Sequence, residues 1–582
     1  SASIPAAVMA MGVFRLLRRG TLLEANAVQT AASAGESLVA GAIFTLPALV
    51  MMGFWQSFNY WESTLILLVG GLLGVLFTIP LRKALIVFQK LQFPEGVATA
   101  EVLRSGAEGG RRVAYLVQAA LIGAAFKLLG GGMHLWDEVV ERAAHIKGKW
   151  LAYAGMNISP ALLAVGYIVG INIAVLIFIG GLISWWVAMP LYASWAGAAI
   201  ADPVGDAYAI WSSQIRYLGV GAMVVGGLWA IIQLVPALRF ALRSSLDSYR
   251  EKAEQERTEK DLPFPLIWGG IALMTVPIFL IYHYHIGAMG IALFLTAFAV
   301  GAGFLFSTVA GYMAGLVGSS NNPISGVTIA TILIVSLLLL AFLGTGSAKG
   351  PALAILVGAV VCSAAAIAGD NMQDLKTGYV VGATPWKQQV MQLSGVAAAA
   401  FFIAPILDLL NTSYGFGPRT AAHPSALPAP QATLMQSVAE GVFGQHLPWV
   451  MIAAGMVLGA VVIAADVWLK RRGSAFRLPV LAVAVGLYLP LELDGAIFIG
   501  GLVNWWVKRR SGQVGQSGIL AASGLITGEA LMGILLAVPI VMTGDPHVLA
   551  VSRHLPSWGA LLLFILIVAW LYRTAARRVA DG

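Results

Sequence analysis

Charge and cysteine are what this sequence has least of. Of its 582 residues only 11% are charged, and one is cysteine. Cys362 alone excludes an intrachain disulfide framework and, set in an apolar run, reads as packing. The shortage of charge comes with 59% hydrophobic residues and a mean hydropathy of +0.84. No soluble domain can hide that much apolar surface. The alternating segments of a membrane barrel are missing. So is a phosphate-binding G-x-x-x-x-G-K-S/T loop, which argues against ATP-driven transport within this chain. There is no charged n-region with a cleavage site, hence no signal peptide is read. The formal net charge of +8 belongs to basic loops on one membrane face and is not a nucleic-acid signal.

What is present is a series of apolar runs of roughly 20 residues, the mark of spanning helices. They fall near 31–54, 62–81, 113–132, 160–187, 217–238, 264–282, 287–307, 324–345, 351–368, 389–407, 447–467, 478–507, 517–543 and 556–572. The expected fold is an all-α polytopic membrane protein. Residues 133–150 read as an amphipathic interfacial helix. Residues 239–262 form a charged linker between a first half, 1–238, and a second half, 263–582. Basic clusters at Arg15/Arg18/Arg19, Arg104/Arg111/Arg112, Lys470/Arg471/Arg472, Lys508/Arg509/Arg510 and Arg573/Arg577/Arg578 place these segments and the C-terminus in the cytoplasm. The Pro-rich stretch 408–446 is then extracytoplasmic. The clusters at 470–472 and 508–510 share a face, yet Pro490 interrupts the stretch between them. At about 1.5 Å per residue that stretch can return only as a re-entrant or broken hairpin, with Glu492 and Asp494 at its tip.

Two passages echo each other. IFIGGLISWW from Ile177 and IFIGGLVNWW from Ile497 agree at eight of ten positions, 320 residues apart. A weaker echo links SASIPAAV at Ser1 to SSNNPISGV at Ser319. Nearly equal offsets suggest duplicated, pseudo-symmetric halves with broken helices, a common plan of secondary transporters. An apolar span precedes Ser319 and nothing precedes Ser1, so about one further helix is expected upstream.

Polar residues at membrane depth mark a pathway or a partner. The densest set is GDNMQDLKTGYVVGATPWKQQ, Gly369 to Gln389, where Asp370, Asn371, Gln373, Asp374 and Lys376 fall within seven positions and Tyr379 follows. A solvated loop is the plain alternative. The Pro-broken Ser319–Pro323, with Asn321 and Asn322, reads equally as a cavity lining or a turn. These residues are the substrate-binding candidates. Glu492, Asp494, Glu529 and Glu36 are acids inside apolar spans and are the proton-coupling candidates, against structural roles through a basic or backbone partner. His283 and His285, two apart, do not share a helix face and read as interfacial. The pairs Trp185/Trp186 and Trp505/Trp506 read as belt or packing residues.

Together with FPEGVATAEVL (Phe93 to Leu103) and SAGESLVAG (Ser33 to Gly41), the Gly369–Gln389 stretch resembles the oligopeptide transporter family. The likeness is to its prokaryotic members, related to the yellow-stripe metal-chelate transporters, and covers essentially the whole chain. Asp374-Leu-Lys-Thr-Gly378 is its most specific part. The resemblance implies about 14–16 spans and a proton-coupled importer of short peptides, glutathione-like molecules or metal–chelator complexes. The Asn-Pro-Gly and Lys-Ile-Pro-Pro-Arg motifs of the eukaryotic peptide branch are absent, which leaves metal chelates open. The expected coupling ion is the proton, with no resident cofactor and any metal carried as part of the substrate. The expected partners are the lipid bilayer of a bacterial inner membrane and the small substrate, with no nucleic acid; a homodimer is left open. The competing reading is a membrane enzyme with an Asp-rich magnesium–diphosphate site. Hard cations need several convergent carboxylates, and no second DxxxD cluster stands at a span end. A passive channel is a third reading, against which the two-half design with broken helices favours alternating access.

Overall fold

The computed structural model describes residues 3–16, 20–108, 111–146, 150–196, 202–229, 232–233, 256–319, 322, 324–345, 347, 349–414, 416, 429–444, 448–474, 476–511, 516–543, 545, 548–551 and 556–576. Asn321 and all but the end of the charged linker lie outside them. The chain is a helical bundle. Its first helices are α1 (Ser3–Leu16), α2 (Leu22–Met51), α3 (Tyr60–Arg82), α4 (Pro94–Glu108) and α5 (Arg111–Lys127). A hairpin of β1 (Val139–Ile146) and β2 (Trp150–Asn157) leads to α6 (Pro160–Val169), α7 (Ile171–Leu182), α8 (Met189–Ala196), α9 (Pro203–Ile210) and α10 (216–229). Then come α11 (Phe264–Ile286), α12 (Met289–Val317), α13 (Ile324–Leu343), α14 (Gly350–Val381), α15 (Pro385–Tyr414) and α16 (Pro430–Phe443). The last are α17 (Trp449–Arg471), α18 (Val480–Tyr488), α19 (Leu491–Ser511), α20 (Gln516–Thr543) and α21 (Ser557–Ala576). Among the described residues, eleven helices are long and apolar enough to cross a membrane.

α14 is the central helix. Pro351 opens it, and Gly382, at a positive φ of 76°, closes it, as helix ends favour. Its most apolar window is buried on every side. α2 and α3 approach it where Gly41, Gly70 and Gly74 leave no room for a Cβ against Ser363, Val360 and Ala364. Small residues at such crossings are how membrane helices come close. α2 begins at a capping box: Thr21 Oγ1 accepts from the Glu24 amide and the Glu24 carboxylate accepts from the Thr21 amide, at 2.7 Å for the latter.

Three sequence expectations are corrected. The amphipathic helix over 133–150 is instead the β1–β2 hairpin, running from Val139 opposite Asn157 to Ile146 opposite Trp150. Leu151 and Tyr153 are buried two positions apart on β2, a period of two that outweighs the charges suggesting a helical face. The apolar span ending at 368 runs on to Val381, because its polar side chains find partners on neighbouring helices. Within the stretch 408–446, α15 extends to Tyr414 and α16 buries Ala432, Met435, Val438, Ala439 and Val442.

The end of the linker is anchored. Arg82, buried, donates to both Asp261 carboxylate oxygens at 2.7 and 2.8 Å, and Gln389 donates to the same group at 2.7 Å.

The break at Pro490 forms as expected. Leu489, before proline, takes extended backbone, and α18 and α19 meet there as two arms of a hairpin. α6 and α7 form a second hairpin about Gly170, at φ +88°. The two interlock. Gly166 lies against the Ile497 carbonyl, and 320 residues on, Gly486 lies against that of Ile177. Gly180 packs on Val483 and Leu487; Gly500 packs on Leu163 and Tyr167. Phe178 and Phe498 stack on each other, centroids 4.5 Å apart and planes 4° from parallel. α7 and α19 run antiparallel, so the tips point in opposite directions. Asn504 donates to the Tyr167 carbonyl near one tip at 2.8 Å, and Trp185 to the Leu489 carbonyl at the other at 3.4 Å.

Candidate functional site

Two groups of buried polar residues stand out. The first lies on the second half of α14. Asp374, fully buried, accepts from Ser3 Oγ at 2.9 Å and from Gln29 Nε2 at 2.5 Å through one oxygen. Ser33 shares a hydroxyl contact with Ser3 at 2.8 Å, so α1 and α2 close on this carboxylate. Its other oxygen has no hydrogen-bond partner. Gln373 faces the other way, donating to the Ala314 carbonyl at 2.6 Å and accepting from the Gly96 amide at 2.8 Å. Gly96 sits directly on α14, with no space for a Cβ against the Gln373 carbonyl. Here the Pro-Glu-Gly break noticed in the sequence has a purpose: it brings the start of α4 onto α14. Glu95 beside it accepts from Ser319 at 2.5 Å.

Between these anchors, polar atoms are left over. Asp370 Oδ1, both side-chain ends of Asn371, Asp374 Oδ2 and Gln392 Oε1 are buried without a partner. Asn322 donates to the Ala310 carbonyl at 3.0 Å and its Oδ1 is likewise unmatched. Each unsatisfied buried group costs about 1–3 kcal/mol. Such a concentration marks a place for water or a polar ligand. Lys376 ends the column, donating to the Leu91 carbonyl at 3.0 Å beside the half-exposed ring of Tyr379.

The second group is at the α18–α19 tip. Asp494 is fully buried against Gly181 with neither oxygen hydrogen-bonded. Glu492 is two residues away, on the side of the β1–β2 hairpin. Tyr153 on β2 donates to Glu141 at 2.7 Å, lies 3.5 Å from Glu492 and shares a 3.0 Å hydroxyl contact with Tyr208. Burial and the Glu141 bond hold the Tyr153 phenol above its ordinary pKa, so it remains a hydrogen-bond donor. Trp185 and Trp211 stack 5.7 Å apart behind these rings.

Glu529 and Glu36 stand apart from both groups. Glu529 caps the start of α6, accepting from Ser159 Oγ at 2.7 Å and the Ala161 amide at 2.8 Å. Glu36 is on an exposed face of α2. His285 contacts Glu62 at 2.5 Å. Among the described residues no three His, Cys, Asp or Glu side chains are placed to hold a metal ion. Trp185 is buried, while Trp186, Trp505 and Trp506 are exposed. Sequence reading missed Ser3, Tyr153 and Tyr208: single hydroxyls in apolar surroundings carry no signal until the fold brings carboxylates to them.

A family model described as OPT oligopeptide transporter protein matches residues 1–540. This chain belongs to that family. A Haemophilus influenzae relative named "Putative oligopeptide transporter" is 37% identical over 606 residues, covering 96% of this chain and 94% of the relative. More distant is the "Probable metal-nicotianamine transporter YSL13" of Oryza sativa subsp. japonica, 24% identical and covering 79% of this chain and 67% of its own. An Arabidopsis thaliana protein, "Probable metal-nicotianamine transporter YSL4", is 22% identical over 84% of this chain and 76% of its own. The OPT family is a transporter family, and the eleven apolar helices make this member an integral membrane protein.

Proposed function

We propose that this OPT protein is a proton-coupled importer of short peptides or peptide-like metal chelates, working by alternating access. The observation that carries the reading is the pair of interlocked, oppositely directed hairpins. One tip bears the unpartnered carboxylate of Asp494, and the other borders an open cleft. Inverted repeats with broken helices are a recurrent device for exposing one site to alternate sides. In this reading the 320-residue echo is a duplication with inverted topology, and the hairpins rock about the Phe178–Phe498 stack.

Asp494 and Glu492 exchange the coupling protons, and Tyr153 and Tyr208 link them to the hairpin side. The α14 column, with Asp370, Asn371, Gln373 and Asp374, holds the cargo: a mixed set of carboxylates and amides suits the amide and amino groups of peptides and peptide-like chelators. Lys376 and Tyr379 stand at the mouth. Any metal travels within the cargo. Asp374 is held by the Ser3 hydroxyl and the Gln29 amide inside the bundle, which supports transport over a magnesium–diphosphate enzyme. The basic clusters support a cytoplasmic C-terminus in a bacterial inner membrane.

The test is uptake into proteoliposomes under an imposed inward proton gradient, with a peptide pool including glutathione compared against ferric and other metal–chelator complexes. Gradient-dependent accumulation of either class upholds the reading and names the cargo. Equal uptake with the gradient collapsed removes proton coupling.

A further inference from the structure

Where the tip of the α6–α7 hairpin meets the ends of α14 and α19, a cleft of about 1130 Å³ opens. Its side chains include Lys90, Lys376, Arg477, Lys508 and Arg509 and no acid. The charge is largely uncompensated. Arg477 is matched by Asp466, with bonds of 2.9 and 2.5 Å. The other four meet no carboxylate among the described residues: Lys376 donates to the Leu91 carbonyl and Arg509 lies over the Trp505 ring, 5.3 Å from its centroid. Four cations without a carboxylate partner around one concavity repel one another, a cost that a bound anion removes. A concave wall with low-dielectric sides also focuses the field on whatever enters. Asn504 lines the same cleft beside Gly170. The volume is slightly above the usual range of about 300–1,000 Å³ for small-molecule sites.

We propose that this cleft is a binding site for a multiply charged oxyanion, bearing clustered carboxylates or phosphates. Such a group reaches it either as a soluble anion or as the headgroup of an anionic lipid. The inference is one of equilibrium binding and does not require the transport reading; Lys376 borders both this cleft and the α14 column.

The test uses the full chain in nanodiscs. In a purely zwitterionic phosphatidylcholine bilayer, citrate and inorganic phosphate are titrated by calorimetry. The same titration is repeated with phosphatidylglycerol added. The variant is Lys508→Gln with Arg509→Gln. Its controls are Lys470→Gln with Arg471→Gln, which removes the same charge outside the cleft, and the charge-keeping exchange Lys508→Arg with Arg509→Lys. Citrate is expected to bind and to weaken about tenfold or more in the cleft variant while both controls retain it, in a salt-sensitive manner. Phosphatidylglycerol that displaces citrate identifies the lipid as a source; citrate binding indifferent to it identifies a soluble one. If no probe binds and phosphatidylglycerol leaves the thermal midpoint of the native chain unchanged, the proposal fails. It fails equally if both double Gln variants weaken binding to the same degree, since the net field of the protein would then suffice.

Discussion

The two hairpins share a scaffold and differ in chemistry. Gly166, Gly180 and Phe178 of one correspond, 320 residues on, to Gly486, Gly500 and Phe498 of the other, and the contacts they make are exchanged in the same way. Where α19 carries Glu492 and Asp494, α7 carries Asn172 and Ala174; where the second hairpin turns at Pro490, the first turns at Gly170. Positions that let helices meet are kept on both sides, and the carboxylates appear on one. Geometry here is a property of the pair, whereas acid chemistry belongs to a single tip.

The largest expected effect separates these roles. Glu492→Gln with Asp494→Asn should lower gradient-driven uptake by roughly a hundredfold or more, the scale on which loss of a proton-transferring group acts, with the protein still folded. Full uptake by that variant in proteoliposomes would remove both acids from coupling. The scaffold responds differently. Gly166→Val and Gly486→Val should each destabilise by about 1–3 kcal/mol through overpacking, to a similar extent, and thermal midpoints in detergent compare them; a harmless change on one side only would break the correspondence. Asp374→Ala should cost about 1–3 kcal/mol, because Ser3 and Gln29 lose their acceptor. Asp494→Asn should cost little, having no hydrogen bond to lose, so a larger midpoint drop at 494 than at 374 would overturn this contrast in hydrogen bonding between the two acids. The smallest effect is at the stack: a double-mutant cycle of Phe178→Leu and Phe498→Leu should return a coupling of about 0.5–1.5 kcal/mol, and no coupling would detach the rings from one another.

The sequence disclosed some of this and concealed the rest for physical reasons. Apolar length gave the helices, and Pro490 between two basic clusters gave the re-entrant hairpin. The shared IFIGGL passage pointed to the segment that pairs with its own counterpart. The polar stretch after Gly369 was legible as unusual, but not as helix: its partners Ser3, Gln29 and Gly96 lie hundreds of residues away, and local polarity looks the same in a loop. The β1–β2 hairpin was lost because eight-residue strands among charges leave both periods open. Glu529 and Glu36 looked alike as acids in apolar runs; one caps α6 and the other is on an exposed face of α2, a difference that only packing decides.

The contact between Ser3 and Asp374 spans 371 residues of chain. During synthesis, Gln29 and Ser33 enter the membrane long before their partner has been translated, and contacts so distant in sequence form late. The early helices therefore wait in the bilayer with polar groups unmatched, and the arrival of α14 is the event that commits the bundle to its final form.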